Sequence, residues 1–225
     1  MEAYLGNALE RAGGGGLGLE EVIESIDRLL SLRDERREEV IRVSRDVVRL
    51  SKQVISLVMR GDLNSATSLA REMEAKVRSI NELLKDLPDL YHTGLVYNAL
   101  SEYVEAELLL DVALKRDLRG FEELEVPPIP YLQGLGDLVG ELRRLALEKV
   151  RSGDFNEAWR LYRVMESIYV NLSKLEYPES LIPGVRHKVD TARRLLDETL
   201  ALLVDLESRR VLREALEAQR SQLEF

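Results

Sequence analysis

The chain of 225 residues contains no cysteine, and its only histidines are His92 and His187. Without cysteine, the protein has no disulfide bonds, no thiolate catalysis and no zinc site built on cysteine ligands. Only the two histidine side chains can serve as imidazole ligands to a metal ion.

Long apolar runs are also absent, since no stretch approaches the roughly 18–20 residues that a membrane-spanning helix needs. The N-terminal residues "MEAYLGNALERAGGGG" lack the basic start and apolar core of a secretory signal. We therefore expect a cytoplasmic protein. Residues 1–18, which include four consecutive glycines, are predicted to form a flexible N-terminal segment.

What the chain does contain is typical of a protein with a well-formed core, because 45% of its residues are hydrophobic and 32% are charged. Its length suits one large domain, which we place at residues 19–225. The net charge of −9 argues against nucleic-acid binding over the whole surface. A local basic patch, or an enclosed site where metal ions neutralise phosphates, remains compatible with it.

Helical periodicity dominates the sequence, and no segment shows a convincing strand alternation. The pattern predicts an all-α fold, a helical bundle of about six to seven helices. The predicted helices run from about Leu19 to Arg60, Asn64 to Leu84, Leu90 to Arg116, Pro130 to Ser152, Asp154 to Lys174 and Gly184 to Arg210, with a short tail helix to Gln222. The prolines of the connector "GFEELEVPPIP" (120–130) and of "YPESLIPG" (177–184) mark two of the breaks.

A short motif occurs twice, as "GDLNSA" (61–66) and as "GDFNEA" (153–158). We interpret each copy as a glycine turn followed by an aspartate that caps the next helix. A 34-residue period is absent, so the motif does not indicate a helical-repeat solenoid.

The third predicted helix carries "SEYVEAELLL" (101–110), in which Glu102 and Glu105 lie within about 60° of each other on the helical wheel. Both acids share their side of the helix with apolar residues. A charged carboxylate in an apolar setting is costly unless it is paired or bound to a metal ion.

The fourth predicted helix contains "YLQGLGDLVGELRR" (131–144), where Asp137 and Glu141 are four residues apart and share one side. Three glycines surround them, although each glycine costs a helix interior about 1 kcal/mol relative to alanine. We expect these glycines to admit another backbone, a ligand or a neighbouring subunit at close range.

Two helices that each present a carboxylate pair are able to converge on a divalent cation. All-oxygen ligands favour Mg²⁺ or Mn²⁺, and such ions support phosphodiester hydrolysis. The simpler alternative is that the acid pairs are ordinary solvated charges. A di-iron centre is disfavoured, because it needs Glu-x-x-His on two helices and the sequence offers only Asp89 to His92, at a helix start.

A family resemblance rests on these same motifs. The "EYVEA" helix (102–106), the proline-containing connector and the "YLQGLGDLVGELRR" helix closely resemble the translin family, and within it the branch of translin-associated factor X (Trax). Residues 33–62 resemble the first long helix of that family, and residues 151–173 and 184–210 resemble its last helices. The resemblance covers about residues 20–212.

The resemblance implies about seven helices assembled into a hollow oligomer, as a homo-octamer in this case. It implies a Mg²⁺-dependent (or Mn²⁺-dependent) endoribonuclease that cleaves RNA phosphodiester bonds by metal-activated water inside the shell. The family's catalytic and metal-binding acids match Glu102, Glu105, Asp137 and Glu141. Its partners would be single-stranded RNA or short RNA duplexes, and single-stranded DNA.

Two alternatives stay open beside this expectation. One is a translin-like oligomer that binds RNA or DNA without cleaving it, and the other is a helical adaptor whose acids are merely solvated. Arginine outnumbers lysine by 25 to 7, a weak hint of a thermophilic source. The hint agrees with a resemblance to archaeal members that form homo-oligomers.

Basic residues supply the predicted RNA contacts. Arg42, Arg45, Arg49 and Lys52 form one stripe on the first helix, where they would neutralise backbone phosphates. The alternative is a solvated face whose basic residues pair with nearby acids. The adjacent Arg143 and Arg144 would either hold phosphate at the acidic site or lie on the surface or at a subunit interface.

Overall fold

The computed structural model describes residues 18–85 and 94–223, and the described residues form six α-helices without a strand. The helices are α1 (Leu19–Met59), α2 (Leu63–Leu84), α3 (Gly94–Ala113), α4 (Pro128–Arg151), α5 (Phe155–Leu172) and α6 (Val185–Leu223). The all-α prediction is confirmed. His92 and the predicted start of the third helix lie outside the described residues.

Helices α3 and α4 occupy the middle of the bundle. Helix α3 packs against α1 and α2 on one side and against α4 on the other, while α4 also packs against α5 and α6. Because α3 is covered on several sides, it is apolar around most of its circumference, and Leu100, Val104 and Leu108 are fully buried. Side chains of α4 such as Leu138 and Leu142 continue the same core.

The two copies of the repeated motif form the same turn, as predicted. Gly61 and Gly153 have φ angles of +78° and +84°, values that favour glycine, and they end α1 and α4. The Asp62 carboxylate accepts a hydrogen bond from the Ser65 N–H at 3.1 Å, and Asp154 accepts one from the Glu157 N–H at 3.0 Å. Each motif therefore stops one helix and caps the next.

Two predicted helix ends are wrong. Helix α3 ends at Ala113, three residues early, because Lys115 adopts a φ of +58° and the Arg116 N–H turns back to the Asp111 carbonyl. Helix α6 continues without interruption to Leu223, so there is no separate tail helix. The extension has no glycine or proline to break it, and an ion pair of Arg210 with Glu214 at 2.7 Å spans the predicted end.

A partly buried ion cluster fixes the connector between α3 and α4. Arg119 contacts Asp111 at 2.9 Å, Glu107 at 2.5 Å and Glu74 at 3.1 Å, which joins the connector to α3 and α2. The Tyr131 hydroxyl of α4 donates a hydrogen bond to the Arg119 carbonyl at 3.0 Å. We call Arg119, Glu107, Asp111 and Glu74 the Arg119 cluster.

Two helix segments leave large apolar side chains exposed. The first half of α1 exposes Leu19, Val22, Ile23, Ile26, Leu29, Leu30 and Leu32, and the end of α6 exposes Val204, Val211, Leu212 and Leu216. Contiguous exposed apolar surface of this kind is typical of association sites.

None of the described helices combines the length and the apolar composition that crossing a membrane requires.

Candidate functional site

The four predicted acids come from the two central helices. Glu102 and Glu105 lie on α3, Asp137 and Glu141 lie on α4, and all four side chains are half-buried. Burial raises the pKa of Glu105 to about 8, and the negative charges of Asp137, Glu102 and Glu141 contribute to that rise. The other three carboxylates are thus near enough to act on the charge of Glu105, and we call the four residues together the acidic site.

Gly134 allows the two helices to approach each other beside this site. A Cβ atom at Gly134 would lie 2.7 Å from the Cβ of Val104 and would also meet the Ser101 carbonyl oxygen. Val104 stands between Glu102 and Glu105 in the sequence, so the helices are close where the carboxylates are. The Ser101 hydroxyl also donates a hydrogen bond to the Gln133 side chain at 3.0 Å.

The glycines of α4 give a matched pair of substitutions. We expect Gly134→Ala to lower the free energy of unfolding by about 1–3 kcal/mol, because the methyl group has to displace backbone and side chain of α3. Gly140 has open space at its Cβ position. Gly140→Ala should therefore raise stability by up to about 1 kcal/mol through helix propensity alone. Urea unfolding measures both, and equal effects of the two substitutions would contradict the close approach at Gly134.

Lys188 of α6 is a part of the site that sequence reasoning missed. Its ammonium group lies 2.5 Å from Asp137 Oδ1, and its charge opposes the rise in the pKa of Glu105. A Cβ at Gly136 would lie 2.6 Å from the Lys188 Cβ, so this glycine admits the lysine stem. The position of Lys188 depends on how α6 packs on α4, for which the sequence pattern gave no signal.

The predicted arginines beside the site make protein contacts. The guanidinium of Arg144 lies 3.5 Å from Glu141, and that of Arg143 donates to the Thr199 hydroxyl at 3.2 Å and lies 3.4 Å from Glu198. One cation therefore contacts Glu141 directly, whereas Arg143 connects α4 to α6.

The basic stripe on α1 is exposed along its length. Arg42 pairs with Glu39 at 3.5 Å and Arg49 pairs with Asp46 at 3.1 Å, as the solvated alternative predicts. Arg45 and Lys52 are also exposed. Ion pairs at such an exposed surface contribute little to stability, so they do not prevent the same side chains from contacting phosphate.

The donor set suits a hard divalent cation, since it consists of carboxylate oxygens in a partly buried setting. Within residues 18–85 and 94–223, however, no three His, Cys, Asp or Glu side chains are arranged to hold a metal ion. Two of the four carboxylates form ion pairs instead, Asp137 with Lys188 and Glu141 with Arg144. Metal binding at the acidic site would therefore require carboxylates to reorient.

Sequence reasoning also passed over two acids on α3 that are more deeply buried than the predicted ones. Glu107 and Asp111 are each only 1% exposed, and both contact Arg119. They are four residues apart, the same spacing that drew attention to Asp137 and Glu141. Their partner follows eight residues after Asp111, in the connector.

Comparisons with known proteins agree with this architecture. The translin family model matches residues 96–199, the segment that contains the acidic site. The crystal structure of AfC3PO is 30% identical with a TM-score of 0.78, over 84% of this chain and 98% of that one. The chain belongs to the translin family. The structure of AfC3PO in complex with duplex RNA superposes with a TM-score of 0.75 at 31% identity, over the same shares.

Relatives of this translin-family chain occur in archaea and mammals. An uncharacterised protein of Methanocaldococcus jannaschii is 29% identical over 175 residues, which is 76% of each chain. The translin-associated protein X of Rattus norvegicus is 24% identical over 193 residues, 67% of this chain and 66% of the rat protein. The resemblance to Trax stated from the motifs is thereby supported across most of the sequence.

Proposed function

We propose that this protein is a Mg²⁺- or Mn²⁺-dependent endoribonuclease. The observation that carries the proposal is the acidic site on α3 and α4, where burial, together with the negative charges of Asp137, Glu102 and Glu141, raises the pKa of Glu105 to about 8. A functional site is a frequent reason for such a perturbed carboxylate. The similarity to AfC3PO, whose structure was determined with duplex RNA, supports RNA as the substrate.

Glu102, Glu105, Asp137 and Glu141 are the residues that would hold the cation. A bound divalent ion supplies water activation and stabilises negative charge at the phosphorus. Glu105 contributes a carboxyl group that keeps its proton near neutral pH when no cation is present. An ionised carboxylate of the acidic site would accept the proton of the attacking water, which would leave products with 5′-phosphate and 3′-hydroxyl ends.

The RNA would be held by positive side chains outside the acidic site. Arg42, Arg45, Arg49 and Lys52 are exposed along one stripe of α1, where they are accessible to backbone phosphates. Single-stranded RNA and short duplexes are the proposed substrates, with single-stranded DNA as a second ligand.

We further infer that the active form is a homo-oligomer, an octameric shell located in the cytoplasm. The exposed apolar stripe at the start of α1 and the exposed end of α6 are the segments that would pack against other copies. Sedimentation analysis of the purified protein tests the subunit number.

Incubation of end-labelled RNA with the purified protein tests the activity. We expect cleavage with Mg²⁺ or Mn²⁺ and none with EDTA, because the acidic site then lacks the ion that would activate the water and offset the negative charge at the phosphorus. Restored cleavage on adding back Mn²⁺ in excess of EDTA is the control. Cleavage that continues in EDTA would contradict a metal-dependent mechanism.

A non-catalytic RNA-binding oligomer is the second candidate. It is favoured by the ion pairs of Asp137 with Lys188 and of Glu141 with Arg144, which engage two of the four carboxylates. This candidate predicts RNA binding that weakens steeply with salt, without cleavage under any divalent ion.

A further inference from the structure

Lys188 brings a positive charge directly into the acidic site. Its ammonium contacts Asp137 Oδ1, and its field acts on Glu105 across the helix interface. The two side chains are about one-third exposed, at 31% and 35%. The ion pair is therefore partly exposed, and solvent can still reach it.

The location of Lys188 is built by contacts that join three helices. The Gln133 amide of α4 donates a hydrogen bond to the Pro183 carbonyl at 2.7 Å, just before α6 begins. The same Gln133 accepts a hydrogen bond from Ser101 of α3. These contacts position the first turn of α6 beside α4, and the missing side chain at Gly136 leaves room for the Lys188 stem.

We propose that the Lys188 ammonium is the internal counter-cation of the acidic site, and that a divalent ion binds there by displacing it from Asp137. The inference rests on the proposed metal site and adds a competitor for it. It assigns Lys188 as a positioning residue that sets the affinity of the site for the cation.

Electrostatics explains why the site would contain its own cation. Carboxylates gathered from two helices repel one another, and a partly buried setting screens that repulsion less than water does. The ammonium lowers the repulsion in the metal-free protein. A divalent ion carries twice the charge and would bind the same Asp137 carboxylate, so the two cations compete for it.

The direction in which Lys188→Met changes the Mn²⁺ affinity distinguishes competition by Lys188 from a merely structural role of this side chain. We expect Lys188→Met to bind Mn²⁺ on the order of tenfold more tightly than the wild type, since a charge at this distance shifts a neighbouring equilibrium by about one unit of log K or more. If Lys188 only supported the shape of the site, the same substitution would weaken Mn²⁺ binding. Calorimetric titration of the RNA-free protein with Mn²⁺ measures the affinity without any cleavage assay.

Arg186→Met is the matched control, because Arg186 is exposed in the same turn of α6 and carries the same charge. It should change the Mn²⁺ affinity by less than about twofold, in line with the weakness of screened surface charges. Glu105→Gln should lower the Mn²⁺ affinity and so assigns the binding to the acidic site.

If Lys188→Met binds Mn²⁺ with the wild-type affinity or more weakly, the proposed competition is wrong, while the proposed metal site still stands. Absence of Mn²⁺ binding from both wild type and Lys188→Met would overturn the proposed metal site as well.

A second measurement on the wild-type side chain does not depend on the stability of Lys188→Met. The chain has seven lysines, which can be ¹³C-methylated with retention of their charge and observed by NMR. Loss of one signal in Lys188→Arg assigns Lys188. We expect the chemical shift of the Lys188 methyl signal to change in proportion to Mg²⁺ binding. A chemical shift that does not change while Mg²⁺ binds would overturn the displacement.

Discussion

Glu105→Gln and Asp137→Asn should each lower RNA cleavage by at least about a hundredfold. Loss of a residue that only supports a metal ligand commonly costs 10–100-fold in affinity or activity, and these two side chains are proposed as ligands themselves. Both substitutions keep the size of the side chain and replace a carboxyl group, which would bind the cation in its ionised form, with a neutral amide. Initial cleavage rates at saturating Mg²⁺, measured on the same labelled RNA, give the effect.

RNA affinity separates loss of chemistry from loss of binding. Replacing a carboxyl group of the acidic site with an amide removes no phosphate contact, so both variants should bind RNA at least as tightly as the wild type. Glu148→Gln is the matched control on α4, because Glu148 pairs with Arg151 at the exposed end of that helix. Full cleavage activity in Glu105→Gln, or an equal loss in Glu148→Gln, would contradict the proposed role of the acidic site.

Arg119→Met should be the most destabilising of the proposed substitutions, by about 3–5 kcal/mol. Removing one partner of a buried ion pair leaves uncompensated charge in the interior. Here the substitution would leave two nearly inaccessible carboxylates, those of Glu107 and Asp111. Burial already raises the pKa of Glu107 to about 7, although its hydrogen bond to Arg119 opposes that rise. Urea unfolding monitored by circular dichroism measures the loss as a lower midpoint.

Arg151→Met provides the comparison, since Arg151 pairs with Glu148 at an exposed position and its loss should cost less than about 1 kcal/mol. Combining Arg119→Met with Glu107→Gln and Asp111→Asn should recover part of the stability, because the buried negative charges are then gone. A loss below about 1 kcal/mol for Arg119→Met alone would show that the Arg119 cluster does not stabilise the connector.

Helix number and the helices that carry the four acids were predictable because both depend on local signals. The 3.6-residue period located the helices, and the two glycine–aspartate turns located two of their ends. The apolar surroundings of Glu102 and Glu105 indicated that these acids face the interior, where the structure places them half-buried. Helix ends were predicted less well, since the end of α3 depends on a hydrogen bond back to Asp111.

The contacts that complete the site were not predictable, because they join residues far apart in sequence. Lys188 follows Asp137 by 51 residues, and only the packing of α6 on α4 brings them together. The same packing explains one of the glycines in "YLQGLGDLVGELRR", since Gly136 faces the lysine stem while Gly134 faces α3. The glycines in the sequence indicated a close approach to α4, and the fold shows that α3 and α6 make it.

A crystal structure of the protein grown with Mn²⁺, with the ion located by its anomalous scattering, would show whether the acidic site binds a metal ion. We expect a Mn²⁺ peak between α3 and α4, with oxygen ligands from Glu102 or Glu105 on one helix and from Asp137 or Glu141 on the other. Manganese–oxygen distances should be close to the roughly 2.0–2.6 Å of hard divalent ions. A fully occupied peak elsewhere, or no peak while Lys188 still contacts Asp137, would contradict the proposed metal site.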